Sequence, residues 1–413
     1  MPSALPHRGE TNRQFAEGTD AARDSYHPGC SDYPLIMPIH LSTVRLSIPS
    51  ARLPAMPRFR FLKPRPRSEW VFFACLLVYA IACVIVYFWL VQPWINGDVG
   101  PRVGADSDRY WQTVKDIQSD SADPDLVTLG GNLLGPVAIA LLLKSGFAVM
   151  CFNFLLFVIA LKVAFSIEGV DKAVFGFLML VNAELFPALT TLNKEILALL
   201  AAVLSAKYIY SARRPLVLLV SALVVSLAAR WEQFAILVLF LLSNRRPFRC
   251  RPKFTIALLV AALTIMYPLM FIIFGINPSV FDYLLEGAGV ILKLDAIQAA
   301  YGFPIVLPVK VLMLMAGRLL QPWFYWSGAF LELGFHDLQG QVFQPLGAVA
   351  MVVIFATALV EGKMRLERPI ALLCTITLIV AAVAPFIQGR YVYPVYVLLS
   401  IELAKNTLSS APE

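Results

Sequence analysis

The sequence predicts an all-α polytopic membrane protein with about ten transmembrane helices and with re-entrant or interfacial segments. Hydrophobic residues make up 59% of the 413 residues, and charged residues make up only 15%. With a mean hydropathy of +0.72, the chain carries more apolar surface than one water-soluble core can bury. Unbroken apolar runs recur from Val71 almost to the C-terminus. They exclude a membrane β-barrel, whose strands alternate.

The sequence divides into three segments of different composition. Residues 1–68 are rich in Pro, Ser and Arg and lack helical periodicity, which predicts a basic, disordered cytoplasmic tail. Residues 69–405 form the predicted transmembrane domain, with outer loops at 93–128 and 276–341. Residues 406–413 are expected to form a short cytoplasmic tail.

The basic residues indicate the orientation of the predicted helices. The basic tail directs the first helix, about Val71–Val91, outward from the cytoplasm, because positive charge stays inside. Arg213, Arg214 and the later basic segments 245–253 and 363–368 are then inside, as are both termini. The net charge of +7 is explained by these short clusters, so no nucleic-acid partner is expected.

Three segments of the predicted transmembrane domain need individual interpretation. Residues 130–143 are marginal in length for a full span, so they predict a re-entrant or interfacial helix. Counting them as a full span would place Arg213 and Arg214 outside, against the positive-inside rule. The apolar run Ala173–Thr190 predicts one continuous helix. Residues Phe303–Leu320 predict a hydrophobic hairpin or re-entrant segment on the outer side.

Charged residues gather at the outer membrane boundary under this topology. Ionisable groups near hydrocarbon are expensive, which makes them functional candidates. The candidates are Asp106, Asp108, Lys194, Glu195, Arg230, His336 and Arg390, with Tyr110 and Tyr391 beside them in sequence.

Ordinary structural roles compete with this interpretation of the charged residues. Arg390 could extend to the interface from a helix end. Lys194 and Glu195 could begin a helix that Asn193 caps. Arg230 and Glu232 could form an isolated ion pair.

The residue types indicate phosphate-transfer or sugar-transfer chemistry at a membrane surface. Asp106 or Asp108 can act as a general base towards a hydroxyl group, or can bind a divalent cation such as Mg²⁺ or Mn²⁺ that carries a phosphate leaving group. Arginine offers planar, multiple donors that match a phosphate group. No cofactor is certain from the sequence.

Four short motifs in this order resemble the GT-C class of integral-membrane glycosyltransferases. They are Asp106-Ser-Asp108-Arg-Tyr110, Gly130 to Pro136, Asn193-Lys194-Glu195 and Arg390-Tyr391-Val-Tyr-Pro394. The same order also resembles bacterial polysaccharide polymerases.

The resemblance implies an enzyme of the bacterial inner membrane that acts in cell-surface polysaccharide or glycolipid synthesis. Its partners would be membrane lipids, a polyprenyl-phosphate-linked sugar donor at the outer face and a lipid or saccharide acceptor. Asp106 or Asp108 would be catalytic. The substrate-binding residues would be Tyr110, Lys194, Glu195, Arg230, His336, Arg390 and Tyr391.

Three other functions remain open from the sequence. A polysaccharide repeat-unit polymerase would use the same chemistry on a larger donor. A transporter or flippase for lipid-linked saccharides would need charges at the membrane midplane, where the sequence places chiefly Lys162, Glu184 and Lys310, and would often show internal repeats, which we do not find. A non-catalytic scaffold of a polysaccharide assembly complex could dock through the N-terminal tail.

Overall fold

The computed structural model of the chain describes residues 67–96, 103, 106–119, 133–245, 248, 251–273, 289–320, 338–384 and 389–405. Within these residues the structure is helical and contains no β-strand, apart from one isolated antiparallel bridge between Val170 and Lys405. The all-α fold class is therefore confirmed for the described part. The predicted tails lie outside it, except that Arg67 and Ser68 begin the first helix.

The α-helices of the described residues differ widely in length. In chain order they are α1 (Arg67–Val86), α2 (Gln92–Ile95), α3 (Ser107–Gln118), α4 (Leu134–Leu143), α5 (Gly146–Phe165), α6 (Lys172–Val181), α7 (Leu185–Thr190), α8 (Glu195–Tyr210), α9 (Leu216–Ala229), α10 (Trp231–Ser243), α11 (Pro252–Ile273), α12 (Gly289–Tyr301), α13 (Phe303–Leu320), α14 (Gln344–Val360), α15 (Pro369–Val383) and α16 (Tyr393–Ala404). π-Helical turns join α1 to α2 (Tyr87–Val91) and lead into α14 (Gln339–Phe343), and a 3₁₀ turn (Gly389–Val392) leads into α16.

Three segments of the described chain are long and apolar enough to cross a membrane. They are Ser68–Ile95, Gly146–Phe165 and Pro252–Leu269, and seven further apolar helices have 10–17 residues. A straight span needs about 20 apolar residues to cross a hydrocarbon core of about 30 Å. The predicted count of ten spans therefore stays a prediction.

Two helices, α8 and α16, form the centre of the bundle. Every residue of α8 from Glu195 to Ala206 is buried, and α16 is buried along almost its whole length. A helix that is apolar on all sides is stable only when neighbours surround it. By contrast, α1 and α9 leave large apolar side chains exposed, as at Val78 and Val217, which suits contact with lipid.

The run Ala173–Thr190 was predicted as one helix, and this prediction is wrong. The structure divides it into α6 and α7. Asn182 has an extended backbone (φ −75°, ψ 111°), and its Oδ1 accepts a hydrogen bond of 3.0 Å from the Glu184 backbone N–H. Such a local side-chain bond competes with helical hydrogen bonding and ends the helix.

One end of the bundle, which we call the basic end, is held by polar contacts between helix termini. Glu402 near the end of α16 accepts hydrogen bonds from the Tyr210 hydroxyl at the end of α8 and from Arg368, the latter at 2.8 Å. Lys207 Nζ donates to the Ser166 carbonyl after α5 at 2.5 Å. The basic end is defined by Arg213, Arg214, Lys363, Arg365, Arg368 and Lys405.

Helices α12 and α13 form a hairpin within the region that was predicted to lie outside. Gly302 joins them with φ +92°, and a Cβ there would lie 3.4 Å from the Thr264 methyl group, near the middle of α11. Lys310 Nζ is 2.7 Å from Asp295 Oδ1 and donates to the Ala384 carbonyl at 3.2 Å. The ion pair joins α13 to α12, and the hydrogen bond to Ala384 joins the hairpin to the end of α15.

Helices α3 and α4 pack on each other beside the end of α9. Tyr110 and Val114 of α3 belong to the same buried apolar cluster as Val137 of α4. A Cβ on Gly135 would lie 2.2 Å from the Ala228 carbonyl oxygen, so only glycine allows α4 to approach α9 this closely. This packing brings Asp106, which precedes α3, close enough to Arg230 for the two charges to interact.

Candidate functional site

The centre of the candidate site is the carboxylate of Asp106, which precedes α3. Arg390 Nη1 donates to Asp106 Oδ2 at 2.6 Å and Nη2 donates to Oδ1 at 3.2 Å, so one guanidinium binds both oxygens. Lys194 Nζ lies 3.7 Å from Oδ2, and the Tyr110 hydroxyl donates to the same oxygen at 3.3 Å. A two-point arginine–carboxylate pair is among the strongest side-chain contacts.

A second buried ion pair lies beside the first. Arg230 Nη2 donates to Glu195 Oε1 at 2.5 Å, and the two side chains are 7% and 1% exposed. The guanidinium carbon of Arg230 lies 4.5 Å from the centroid of the Tyr391 ring. Within the described residues, Glu195 Oε2 and Arg230 Nε have no hydrogen-bond partner. This pair therefore keeps bonding capacity for a ligand.

The two ion pairs form one group, because the charges of Arg390, Arg230 and Lys194 all act on Asp106. We call this group the cluster, and it comprises Asp106, Tyr110, Lys194, Glu195, Arg230, Arg390 and Tyr391. It contains three cationic side chains and two carboxylates, so it carries an excess of positive charge.

The cluster lies where four helices begin. Asp106 precedes α3, Lys194 precedes α8, Arg230 precedes α10, and Arg390 lies in the 3₁₀ turn before α16. The backbone of Arg230 is extended (φ −162°, ψ 131°), so α9 ends and α10 begins at this residue. Helix N-termini present unpaired N–H groups and the positive end of the helix dipole. Their convergence adds to the attraction for an anion.

Burial and neighbouring charges set the ionisation of Asp106 and Lys194. Burial by itself raises the pKa of Asp106, but Arg390 and Lys194 outweigh it and hold the pKa below its usual value. Asp106 is therefore ionised at neutral pH. Burial, followed by repulsion from Arg230, lowers the pKa of Lys194 to about 8, so this amine can lose its charge in mildly basic solution.

The structure brings together most of the residues that the sequence analysis selected. Asp106, Tyr110, Lys194, Glu195, Arg230, Arg390 and Tyr391 all belong to the cluster. Asp108 does not: it is exposed in the first turn of α3. His336 lies outside the described residues.

Two features of the cluster were not foreseen in the sequence. Arg230 pairs with Glu195, 35 positions earlier, instead of forming an isolated pair with its neighbour Glu232. Asn193 does not cap α8, because its Oδ1 accepts from the adjacent Lys194 backbone N–H at 2.9 Å and Lys194 takes the capping position. In the sequence, the only sign of either feature is that polar residues interrupt the apolar runs at 193–195 and 230–232.

The donor set of the cluster does not fit the divalent cation that the sequence left open. Asp106 and Glu195 are each paired with a guanidinium, so the cluster presents positive charge. In the part of the chain that the structure describes, no group of three or more His, Cys, Asp or Glu side chains is arranged to hold a metal ion. The chemistry available to the cluster is therefore that of its protein side chains.

No protein-family model, no curated protein and no solved structure matches this chain. The described fold and the cluster together define an all-helical protein with helices suited to a membrane and with a buried, cation-rich group of side chains at one end of its bundle.

Proposed function

We propose that this chain is a membrane glycosyltransferase that takes a sugar from a polyprenyl-phosphate-linked donor and transfers it to a lipid or saccharide acceptor. The observation that carries the proposal is the cluster. Three buried cations surround one ionised carboxylate where four helices begin. This arrangement suits a phosphate leaving group next to a general base.

The anion that this cluster favours is one attached to an apolar chain. Buried cations are costly in an apolar bundle and are retained where a carboxylate or an anionic ligand pairs with them. The exposed apolar faces of α1 and α9 suit contact with hydrocarbon. A polyprenyl phosphate combines both properties, since its chain lies among the lipids while its phosphate reaches the cluster.

Each residue of the cluster has a role in the proposed transfer. Asp106 takes the proton of the acceptor hydroxyl as that oxygen bonds to the sugar carbon. The bond from this carbon to the phosphate oxygen breaks, and its electron pair leaves with the phosphate. Arg390, Arg230 and Lys194 stabilise that charge, because guanidinium and ammonium donors are strongest towards anions.

The remaining cluster residues position these groups. Glu195 holds the Arg230 guanidinium through its 2.5 Å contact, and the Tyr391 ring supports the same guanidinium from one face. The Tyr110 hydroxyl holds the Asp106 carboxylate.

The proposed orientation follows from the distribution of charge. The basic end carries the arginine and lysine residues that cytoplasmic loops favour, and the cluster lies at the opposite ends of α8 and α16. The cluster would then face the outer side of a bacterial inner membrane.

The direct test is a transfer assay on the purified full chain in lipid vesicles. We expect a polyprenyl phosphate that carries a radiolabelled saccharide to lose its label to the acceptor. Arg390→Ala should abolish this transfer, whereas Arg109→Ala, an exposed arginine on α3, should not. Movement of the intact labelled lipid between leaflets without transfer would instead indicate a transporter. A chain that neither transfers the sugar nor moves the lipid would support the non-catalytic scaffold.

Lys194 gives the proposed site a defined pH dependence. Its amine is charged below its pKa of about 8 and neutral above it, so affinity for a phosphate-bearing lipid is expected to fall as the pH rises through that value. The measurement is the dissociation constant of polyprenyl phosphate from about pH 6 to about pH 10. Lys194→Arg should retain binding at the upper end of this range, because arginine stays charged. An identical profile in the variant would contradict the role of Lys194.

A further inference from the structure

Arg390, the residue of the cluster best suited to hold an anion at two points, is already engaged in the structure. Both of its terminal nitrogens donate to the two oxygens of Asp106. Arginine binds carboxylates and phosphates in the same two-point manner, through the same pair of N–H groups. A phosphate can therefore bind Arg390 in this manner only if the Asp106 carboxylate leaves it.

Asp106 is also the most accessible member of this group of charges. Its side chain is 24% exposed, whereas the side chains of Arg390 and Lys194 are 7% and 4% exposed. A ligand that approaches the cluster therefore meets the carboxylate before it meets either cation. Glu195, which pairs with Arg230, is only 1% exposed, so we expect that second pair to persist when a ligand binds.

A second position for the Asp106 carboxylate lies within reach of its own side chain. Asp106 occupies the capping position of α3, where an aspartate commonly accepts hydrogen bonds from backbone N–H groups of the first turn. Here the carboxylate makes no such bond, because it is turned towards Arg390. The first N–H groups of a helix have no partner within that helix. Rotation of the side chain alone would therefore take the carboxylate from Arg390 to the start of α3.

The phosphate of the proposed donor resembles the carboxylate that it would replace. A sugar linked through phosphate to a polyprenol is a phosphodiester, which carries one negative charge and two unsubstituted oxygens on one phosphorus atom. Asp106 presents one negative charge and two oxygens on one carbon atom to the same guanidinium. The exchange therefore conserves both the hydrogen bonds and the charge that Arg390 receives.

We propose that the phosphate of the donor lipid takes the place of Asp106 on Arg390, and that the released carboxylate then serves as the base of the transfer. Before the donor binds, Asp106 is an internal substitute for the phosphate. Donor binding thereby activates the base. This inference rests on the proposed function, because it takes the cluster to be the site of a phosphate-bearing lipid.

The ionisation of Asp106 is consistent with this sequence of events. Burial raises the pKa of Asp106, but Arg390 and Lys194 outweigh burial and hold the pKa below its usual value. A carboxylate with a lowered pKa is a weak base. A phosphate on Arg390 neutralises a cation that lowers this pKa, so the pKa of Asp106 rises once the donor is bound. The charged or titratable groups around Asp106 come from four elements of the described chain and are Arg390, Lys194, Glu195, Arg230 and Tyr110.

A permanent pair between Arg390 and Asp106 is the alternative. A phosphate that approached such a pair would meet the exposed carboxylate first and be repelled by it. Only Lys194 and Arg230 would remain to bind the phosphate, and Arg230 already donates to Glu195. The exchange removes this repulsion and makes the two-point donor available.

The direct test is infrared difference spectroscopy of the purified full chain in nanodiscs, with and without polyprenyl phosphate. This probe carries no sugar, so no transfer takes place. Release of a carboxylate from a guanidinium changes its stretching vibration, and the wild type should therefore give a carboxylate difference band. Asp106→Asn should lack this band, and Asp108→Asn, which changes an exposed carboxylate of the same helix, should retain it. The inference is overturned if the wild type binds the lipid without the band, or if the band persists in Asp106→Asn.

Binding affinity gives a second, independent measurement. Asp106→Asn removes the internal competitor for Arg390, so this variant should bind polyprenyl phosphate about tenfold more tightly than the wild type. Glu195→Gln is the charge-matched control, because it removes the same charge from the cluster but leaves the pair between Asp106 and Arg390 in place. A change in net charge alone would raise the affinity of both variants equally. We expect the larger gain in Asp106→Asn, and equal gains would contradict the exchange.

Inorganic phosphate, as a further probe, distinguishes a lipid headgroup from a free anion. A difference band that polyprenyl phosphate produces and the same concentration of inorganic phosphate does not produce assigns the exchange to the lipid. The same band with both probes assigns it to phosphate in general. Either result supports the exchange on Arg390.

Failure of this inference can be told apart from failure of the proposed function. Sugar transfer by a wild-type chain that gives no carboxylate band would remove the exchange and leave the enzyme, with Arg390 and Asp106 as a permanent pair. A band that Asp106→Asn abolishes, in a wild-type chain that transfers no sugar, would leave the exchange at a phosphate site and remove the enzyme.

Discussion

Asp106→Asn is expected to lower the rate of sugar transfer by about 10²–10⁴-fold, the usual contribution of a general base. Asparagine has nearly the same shape but cannot take a proton. It also no longer neutralises Arg390 and Lys194, which lie 2.6 Å and 3.7 Å from the carboxylate. The variant should therefore bind polyprenyl phosphate at least as tightly as the wild type. Initial rates and lipid affinity, measured separately, test both parts.

The control for this prediction is Asp108→Asn. Asp108 is two residues further along α3 and is exposed, so its variant should transfer sugar at nearly the wild-type rate. The assignment of Asp106 as the base would be contradicted by a normal rate in Asp106→Asn, or by a large loss in Asp108→Asn with none in Asp106→Asn.

Arg230→Leu is expected to reduce the stability of the folded chain by about 3–5 kcal/mol, the usual effect of breaking a buried ion pair. The substitution leaves the Glu195 carboxylate, 1% exposed, without its counter-charge. It also removes the contact of the guanidinium with the Tyr391 ring. The loss should appear as a lower midpoint of thermal or denaturant-induced unfolding in detergent micelles.

A double variant separates the uncompensated charge from the other effects of this substitution. Arg230→Leu combined with Glu195→Leu should recover much of the lost stability, because no buried charge is then left unpaired, but it should not recover sugar transfer. Arg213→Leu, an exposed arginine at the basic end, should unfold as the wild type does. A double variant no more stable than Arg230→Leu alone would show that the pair is not the cause.

The positions of the cluster residues could be predicted in outline because charge is rare in this chain. Lys194, Glu195 and Arg230 interrupt apolar runs, and helix direction brings such interruptions to the same end. Their pairing could not be predicted, since it depends on how α8 packs against α9. The sequence also could not show which of Asp106 and Asp108 belongs to the cluster. Residues two apart at the start of a helix point in different directions, and that direction is known only from the structure.

The apolar runs predicted the bounds of a helix accurately where no polar side chain interrupts its backbone hydrogen bonds. Leu216–Ala229 was predicted from its apolar run and is observed with the same bounds. The break between α6 and α7 was missed because it depends on one hydrogen bond from Asn182, which hardly changes mean hydropathy. Helix α3 lies in a region predicted as a loop, although Tyr110 and Val114, four residues apart, already mark one apolar face.

The long separation between Asp106 and Arg390 also constrains when the cluster can form during biosynthesis. The two residues lie 284 positions apart, and Arg390 precedes α16, the last described helix. A chain still under synthesis therefore carries Asp106, Lys194 and Arg230 long before the residue that binds both oxygens of the Asp106 carboxylate. Until α16 enters the bundle, Asp106, Lys194 and Arg230 are present without Arg390. A chain that stops before residue 389 never forms the pair between Asp106 and Arg390.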